Sequence, residues 1–167
     1  MGLLRRLLND QIRTVQRTNI VQGRKFSEQL EEAIFRYTNR SLTTAEIIAE
    51  LVKLAKQVRD EANRHEQLGL TEAEAAFYDA IVQNDAAVLQ MGDETLKKMA
   101  AELVTSIRQN ATIDWNLKES VRAAMRTKVR RLLAKYDYPP DLEEKAVELV
   151  LEQAELFAST APVGDAA

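Results

Sequence analysis

Apolar residues return every three or four positions along almost the whole of this chain, and nowhere do they alternate with polar ones over a strand's length. That spacing gathers them on one face of a 3.6-residue helix, whereas a half-buried strand needs a period of two. Leu3, Leu4, Leu7, Leu8, Ile12 and Val15 begin the pattern. Leu30, Ala33, Ile34 and Tyr37 follow, then Ile47, Leu51, Leu54, Val58, Ala62 and His65. Phe77, Ala80 and Ile81 carry it on, then Leu96, Met99, Ala100, Leu103 and Ile107. A strongly polarised stretch has Leu117, Val121, Met125, Val129, Leu132 and Tyr136 on its apolar face, and Val147, Val150, Leu151, Ala154 and Phe157 complete the series.

The punctuation is that of helix ends. Thr43 with Glu46, Thr71 with Glu74, and Asn116 with Glu119 are spaced as capping boxes, in which the first side chain and the third residue's carboxylate satisfy each other's backbone N–H. Gly69 followed by Leu70 suits a left-handed C-cap. Gly23 is expected to end the first helix and Ser27 to cap the second, which Asn39-Arg40-Ser41 breaks. Asn84 and Asp85 loosen the pattern, Met91-Gly92-Asp93 reads as a turn with a cap, and Gln109-Asn110 leads into the polarised helix. Pro139 and Pro140 stop that helix, and Asp141 with Glu144 is expected to cap the last. The chain is therefore read as all-α, a globular bundle of about six or seven unequal helices, since no repeat of about 34 or 40 residues marks a solenoid. One domain is expected over residues 1–158, followed by a flexible tail at 159–167 that is small, polar and uncapped.

Charge is segregated along these helices. Lys118–Lys135 carries a formal +6 and the first 25 residues +5, which leaves −14 on the remainder and a total of only −3. Lys118, Arg122, Arg126 and Arg130 form an i, i+4 row beside the apolar face, with Arg131 on its flank. Such a row can meet an acidic partner, DNA phosphates, or acidic helices of its own domain. Arg13 and Arg17 supply the corresponding surface on the first helix. Trp115, at the start of the basic helix, is either a core anchor or an interface anchor beside the arginines. These eight side chains are the candidate partner or DNA contacts.

Catalytic and cofactor chemistry finds no footing in the residue inventory. There is no phosphate loop, no Gly-rich dinucleotide turn and no cysteine, and the one histidine cannot build a multi-His metal site. His65 lies near a helix C-terminus, where an imidazole suits the dipole. Pro140-Asp141 with Glu143, Glu144 and Lys145 has the residue types of an acid–acid–lysine nuclease signature. Crowding into a single helical turn gives those residues a capping role instead. No catalytic, cofactor or metal residue is assigned. No apolar run reaches the roughly 18–20 residues of a membrane span, the N-terminus lacks a signal-peptide cleavage site, and the absence of cysteine fits a cytoplasmic location.

Asn19–Arg40 (NIVQGRKFSEQLEEAIFRYTNR) and Glu46–Lys56 (EIIAELVKLAK) resemble the C-terminal helical region of the restriction subunits of type I restriction enzymes. Leu70–Ile81 (LTEAEAAFYDAI), Thr112–Trp115 (TIDW), Lys128–Asp141 (KVRRLLAKYDYPPD) and Ala146–Leu156 (AVELVLEQAEL) follow in the same order. The resemblance implies a much longer bacterial or archaeal polypeptide. In it a nuclease domain and two helicase-like motor domains, using ATP and Mg²⁺, precede this region. The fragment itself would then have no enzymatic activity, while the full subunit would be an ATP-dependent site-specific deoxyribonuclease and DNA translocase. The implied role is docking onto a methyltransferase core of methylation and specificity subunits, alongside the remainder of the restriction subunit. The alternative is a DNA-backbone contact made by the same motor subunit.

Overall fold

A computed structural model describes residues 2–83, 85–109 and 119–160 of the chain. Among the described residues there are eight α-helices and no strand. They divide into two compact units, Met1–Gly69 and Leu70–Ala167.

The first unit is built from α1 (Gly2–Gln16), α2 (Ile20–Thr38) and α3 (Thr44–Leu68), each packed on the other two. Connections of three and five residues between them make the arrangement up-down-up. Leu8, Ile12, Phe26, Leu30, Ala33, Ile47, Leu51, Leu54 and Val58 are buried at its centre. The capping box at Thr43 and Glu46 forms as expected, and Gly69 adopts the left-handed conformation at φ 74° that closes α3.

The boundary between α1 and α2 differs from the sequence expectation. Asn19, not Ser27, caps α2: its backbone is extended and its Oδ1 accepts the Gln22 N–H at 3.0 Å. Gly23 lies inside α2, buried, rather than ending α1. A Cβ at Gly23 would stand 2.4 Å from Gln16 Cγ and 2.8 Å from Gln16 Cα, so this residue is the point where the two helices touch. The glycine is there for close approach, not for a turn.

The apolar stripe of α1 is also wider than its buried face. Leu8 and Ile12 are buried and Leu4 and Val15 partly so, but Leu3 and Leu7 remain 70% and 51% exposed. Ala62, expected on the buried side of α3, is exposed as well. The core it would join ends at Val58.

In the second unit α4 (Glu72–Ile81) is central. All seven residues from Ala75 to Ile81 are buried, and the helix packs on α6 (Asp93–Gln109) and α8 (Pro140–Thr160). Its capping box, Thr71 with Glu74, is present. Asp85–Met91 forms a short helix, α5, where the sequence pattern shows only a loosened stretch, and packs on α6. Gly92, at φ 83°, makes the turn between them. The last helix starts at Pro140, so Asp141 sits in its first turn rather than at its cap; proline is suited to that position because its missing N–H has no partner there. Phe77 and Phe157 meet edge to face, ring centroids 6.3 Å apart.

Candidate docking surface

Helix α7 (Glu119–Lys135) carries Arg122, Arg126 and Arg130 of the basic row and packs on α8 and α6. Met125, Val129 and Leu133 are buried side chains of this helix. The helical period points to Leu132 in place of Leu133, but Leu132 is only partly buried while Leu133 is fully enclosed. The buried residues step by four and form one ridge of the kind that interdigitates with a crossing helix, so the buried line slants away from the strict 3.6 stripe. The helix ends in a Schellman turn: Asp137, at φ 59°, donates to Ala134 O, and the Tyr138 N–H reaches Leu133 O at 2.9 Å. Tyr138 is thereby turned inward, and its hydroxyl donates to Ile81 O at 2.7 Å, satisfying a carbonyl at the C-terminal end of α4. Burial pushes the Tyr138 phenol above its ordinary value.

Arg126 and Arg130 of the basic row face α8. Arg126 Nη1 lies 2.5 Å from Glu148 Oε1 and 3.9 Å from Glu144 Oε1. Arg130 Nη2 holds both Glu144 oxygens, at 3.3 and 3.1 Å. One turn further on, Lys135 Nζ is 3.2 Å from Glu102 of α6, and the Tyr136 hydroxyl donates to the same carboxylate. That hydroxyl, and after it Lys135, holds the Glu102 carboxyl below the usual range, while the carboxylate raises the Tyr136 phenol. At the other end of α6 the Tyr78 hydroxyl donates to Asp93, which also pairs with Lys97 at 3.1 Å. Both lower the Asp93 pKa, the tyrosine more.

The eight candidate contacts are thus distributed unevenly. Trp115 and Lys118 lie outside the described residues, together with Leu117, the Asn116 capping box and positions 161–167 of the tail. The Val121 and Arg122 side chains lie outside them too. Arg126 and Arg130 are engaged by α8 yet stay 35% and 45% exposed. Arg131 is exposed on α7, and among the described residues no ion pair occupies it. Arg13 is exposed on α1 of the first unit and Arg17 in the turn that follows it, likewise without an ion pair among the described residues. Of the candidates, Arg13, Arg17 and Arg131 therefore offer unmatched positive charge. The part of the α7 row formed by Arg126 and Arg130, which looks most available from charge alone, is matched by carboxylates.

Sequence reasoning misses the exposed apolar pairs on the first unit, Leu3 with Leu7 on α1 and Ile48 with Val52 on α3. Their signal is that an apolar stripe spanning both Leu3/Leu7 and Leu8/Ile12 is too broad for one contact face. Among the described residues no group of acidic, histidine or cysteine side chains has the arrangement to hold a metal ion, and no helix is long and apolar enough to cross a membrane.

The family described as "Type I restriction enzyme HindI endonuclease subunit-like, C-terminal" matches residues 1–160. The type I restriction enzyme HindI endonuclease subunit of Haemophilus influenzae is 43% identical over 158 residues, which is 95% of this chain and 15% of that protein. A putative type I restriction enzyme MjaIXP endonuclease subunit from Methanocaldococcus jannaschii is 37% identical over 134 residues, covering 80% of this chain and 13% of its own length. The chain thus spans about one seventh of the curated relatives it matches. No solved structure matches it.

Proposed function

Because the chain belongs to the family of C-terminal regions of type I restriction enzyme endonuclease subunits, we propose that it is a non-catalytic helical docking region. In this reading it tethers an ATP-dependent DNA translocase and endonuclease to a methyltransferase core of methylation and specificity subunits. ATP and Mg²⁺ belong to the motor and nuclease parts of such a polypeptide, and the setting is the bacterial or archaeal cytoplasm.

The observation that carries the proposal is the distribution of unmatched charge. Arg13 on α1, Arg17 in the turn after it and, in the second unit, Arg131 on α7 are exposed and unpaired among the described residues, so each leaves positive charge for an acidic protein to meet. The alternative, a DNA-backbone contact through α7, is weakened by the same geometry. Arg126 and Arg130 already face Glu144 and Glu148, so a phosphate would have to displace carboxylates held at 2.5 to 3.1 Å.

The test is binding of the chain to a purified complex of methylation and specificity subunits, with a parallel titration against duplex DNA. Arg13→Glu with Arg17→Glu, or Arg131→Glu, should weaken binding to that complex while leaving the circular dichroism spectrum unchanged. DNA binding should be weak and fall steeply with salt, since phosphate contacts release counterions. Tight duplex binding at physiological salt, with no affinity for the methylation and specificity subunits, would reverse the assignment.

A further inference from the structure

The side chains left outside the core of the first unit are arranged as a second binding face. Ile48 and Val52 follow Ile47 and Leu51 by one residue each, which sets them about 100° around α3 from the buried row. The opposite flank of α3 is taken by α2, through the Arg36–Glu50 bridge at 3.0 Å, so Ile48 and Val52 border α1. Leu3 and Leu7 precede Leu4 and Leu8 by one residue each, on the flank of α1 away from the Gln16–Gly23 contact with α2. In an up-down-up bundle α1 and α3 run parallel, and counting along the helices from the Gln16–Gly23 and Arg36–Glu50 contacts sets Leu3 and Leu7 within a turn of the level of Ile48 and Val52. Leu3, Leu7, Ile48 and Val52 are 70%, 51%, 39% and 41% exposed.

The seam's rim is cationic. Arg6 is three residues from Leu3, Lys56 four from Val52, and Arg59 seven from Val52, against two acids, Asp10 and Asp60. All five charged side chains are exposed and without an ion pair among the described residues. An apolar groove between parallel helices, with i, i+4 anchors and a positive rim, is complementary to an amphipathic helix whose flanks are acidic.

We infer that this seam receives an acidic amphipathic helix from the part of the restriction subunit outside the present chain, docked in cis. The area selects a covalently linked partner. The four side chains expose on the order of 300–400 Å², against about 800 Å² per partner in a free-standing specific interface. A helix of the same polypeptide needs less, because the linkage supplies a millimolar-scale effective concentration. The relatives provide the length: about six sevenths of each lies outside the matched region. The inference rests on the chain being one region of a longer polypeptide, and not on its docking to the methyltransferase core.

A photo-crosslinking p-benzoylphenylalanine placed at Leu7, at Val52, and as a control at Phe35 decides the matter. Phe35 is 67% exposed on the far face of α2. Full-length restriction subunits with each substitution are irradiated alone and after addition of the methylation and specificity subunits. Leu7 and Val52 should both give an intramolecular adduct in the restriction subunit alone, mapping to one acidic segment with apolar residues at i, i+4 spacing, and Phe35 should not reach that segment. Adding Arg59→Glu should cut the adduct yield at least fivefold with the helical content unchanged. Adducts formed only with an added partner, only between two copies, or not at all would overturn the inference. Intramolecular adducts in a protein that fails to bind the core would uphold it while removing the docking role.

Discussion

Gly23→Ala should destabilise this protein, although alanine is the better helix former by about 1 kcal/mol at an open helical position. The sign reverses because of the α1–α2 contact. The new Cβ would lie 2.4 Å from Gln16 Cγ and 2.8 Å from Gln16 Cα. The Cγ is part of a flexible side chain and can swing away, but the Cα belongs to the backbone of α1. Restoring an ordinary contact of about 3.4 Å requires the helices to separate by roughly 0.6 Å, which loosens the packing of Leu8 and Ile12 behind them. Overpacking of this kind costs about 1–3 kcal/mol, and the propensity gain offsets about 1 of that. A net loss of up to about 2 kcal/mol is expected. Equilibrium urea unfolding followed by far-UV circular dichroism measures it as a lowered midpoint with an unchanged slope. Gln16→Ala in the same background should recover only part of the loss, since the Cα clash stays. A Gly23→Ala midpoint at or above the parent's would refute close approach as the reason for this glycine.

Leu133→Ala should cost about 2–5 kcal/mol, the range for a buried leucine, and Leu132→Ala clearly less; equal losses would mean that the buried line of α7 is misassigned. Arg40→Gly and Asp137→Gly should each raise stability by about 1 kcal/mol in the same unfolding assay, because both residues hold φ near 59°, where a Cβ is strained. Stability should fall as pH drops below about 4.5: Glu46, Asp93 and Glu102 have folded pKa values below their unfolded ones, so their contribution is present above the unfolded values and lost as they protonate. Tyr138 has the opposite sign, its folded pKa being raised, so stability is lost as pH climbs past about 10, and Tyr138→Phe should flatten that alkaline slope. Arg126→Glu with Arg130→Glu should lower the unfolding midpoint modestly, since partly exposed pairs are worth about 0–1 kcal/mol each. An unchanged midpoint would show that the carboxylates of α8 do not stabilise α7.

The helical class and the capping boxes at Thr43 and Thr71 are legible in the sequence because they depend on local geometry: a period, and a side chain within reach of a backbone N–H three residues on. Gly23 misleads because the same residue type serves two ends. As punctuation it would free a turn, but here its value comes from a contact with Gln16, which no local pattern records. Leu133 takes the buried place of Leu132 for a similar reason, since the crossing of α7 with its neighbours, not the helical period, selects which ridge is enclosed. The α7 arginines are legible as a row, and the pairing of Arg126 and Arg130 with α8 is one of the arrangements that the charge segregation allows. Which carboxylates meet them depends on how α7 lies against α8. The exposed leucines of α1 can be separated from the buried ones only by the width of the stripe.

That this region holds a restriction subunit on its methyltransferase core is tested most directly by competition. A complete type I enzyme is assembled from restriction, methylation and specificity subunits, and ATP-dependent DNA cleavage is followed as the isolated chain is added in excess. The chain should displace the full restriction subunit and suppress cleavage in a saturable way, and Arg13→Glu with Arg17→Glu should abolish the suppression. Cleavage that continues undiminished at large excess of a folded chain would contradict the docking role.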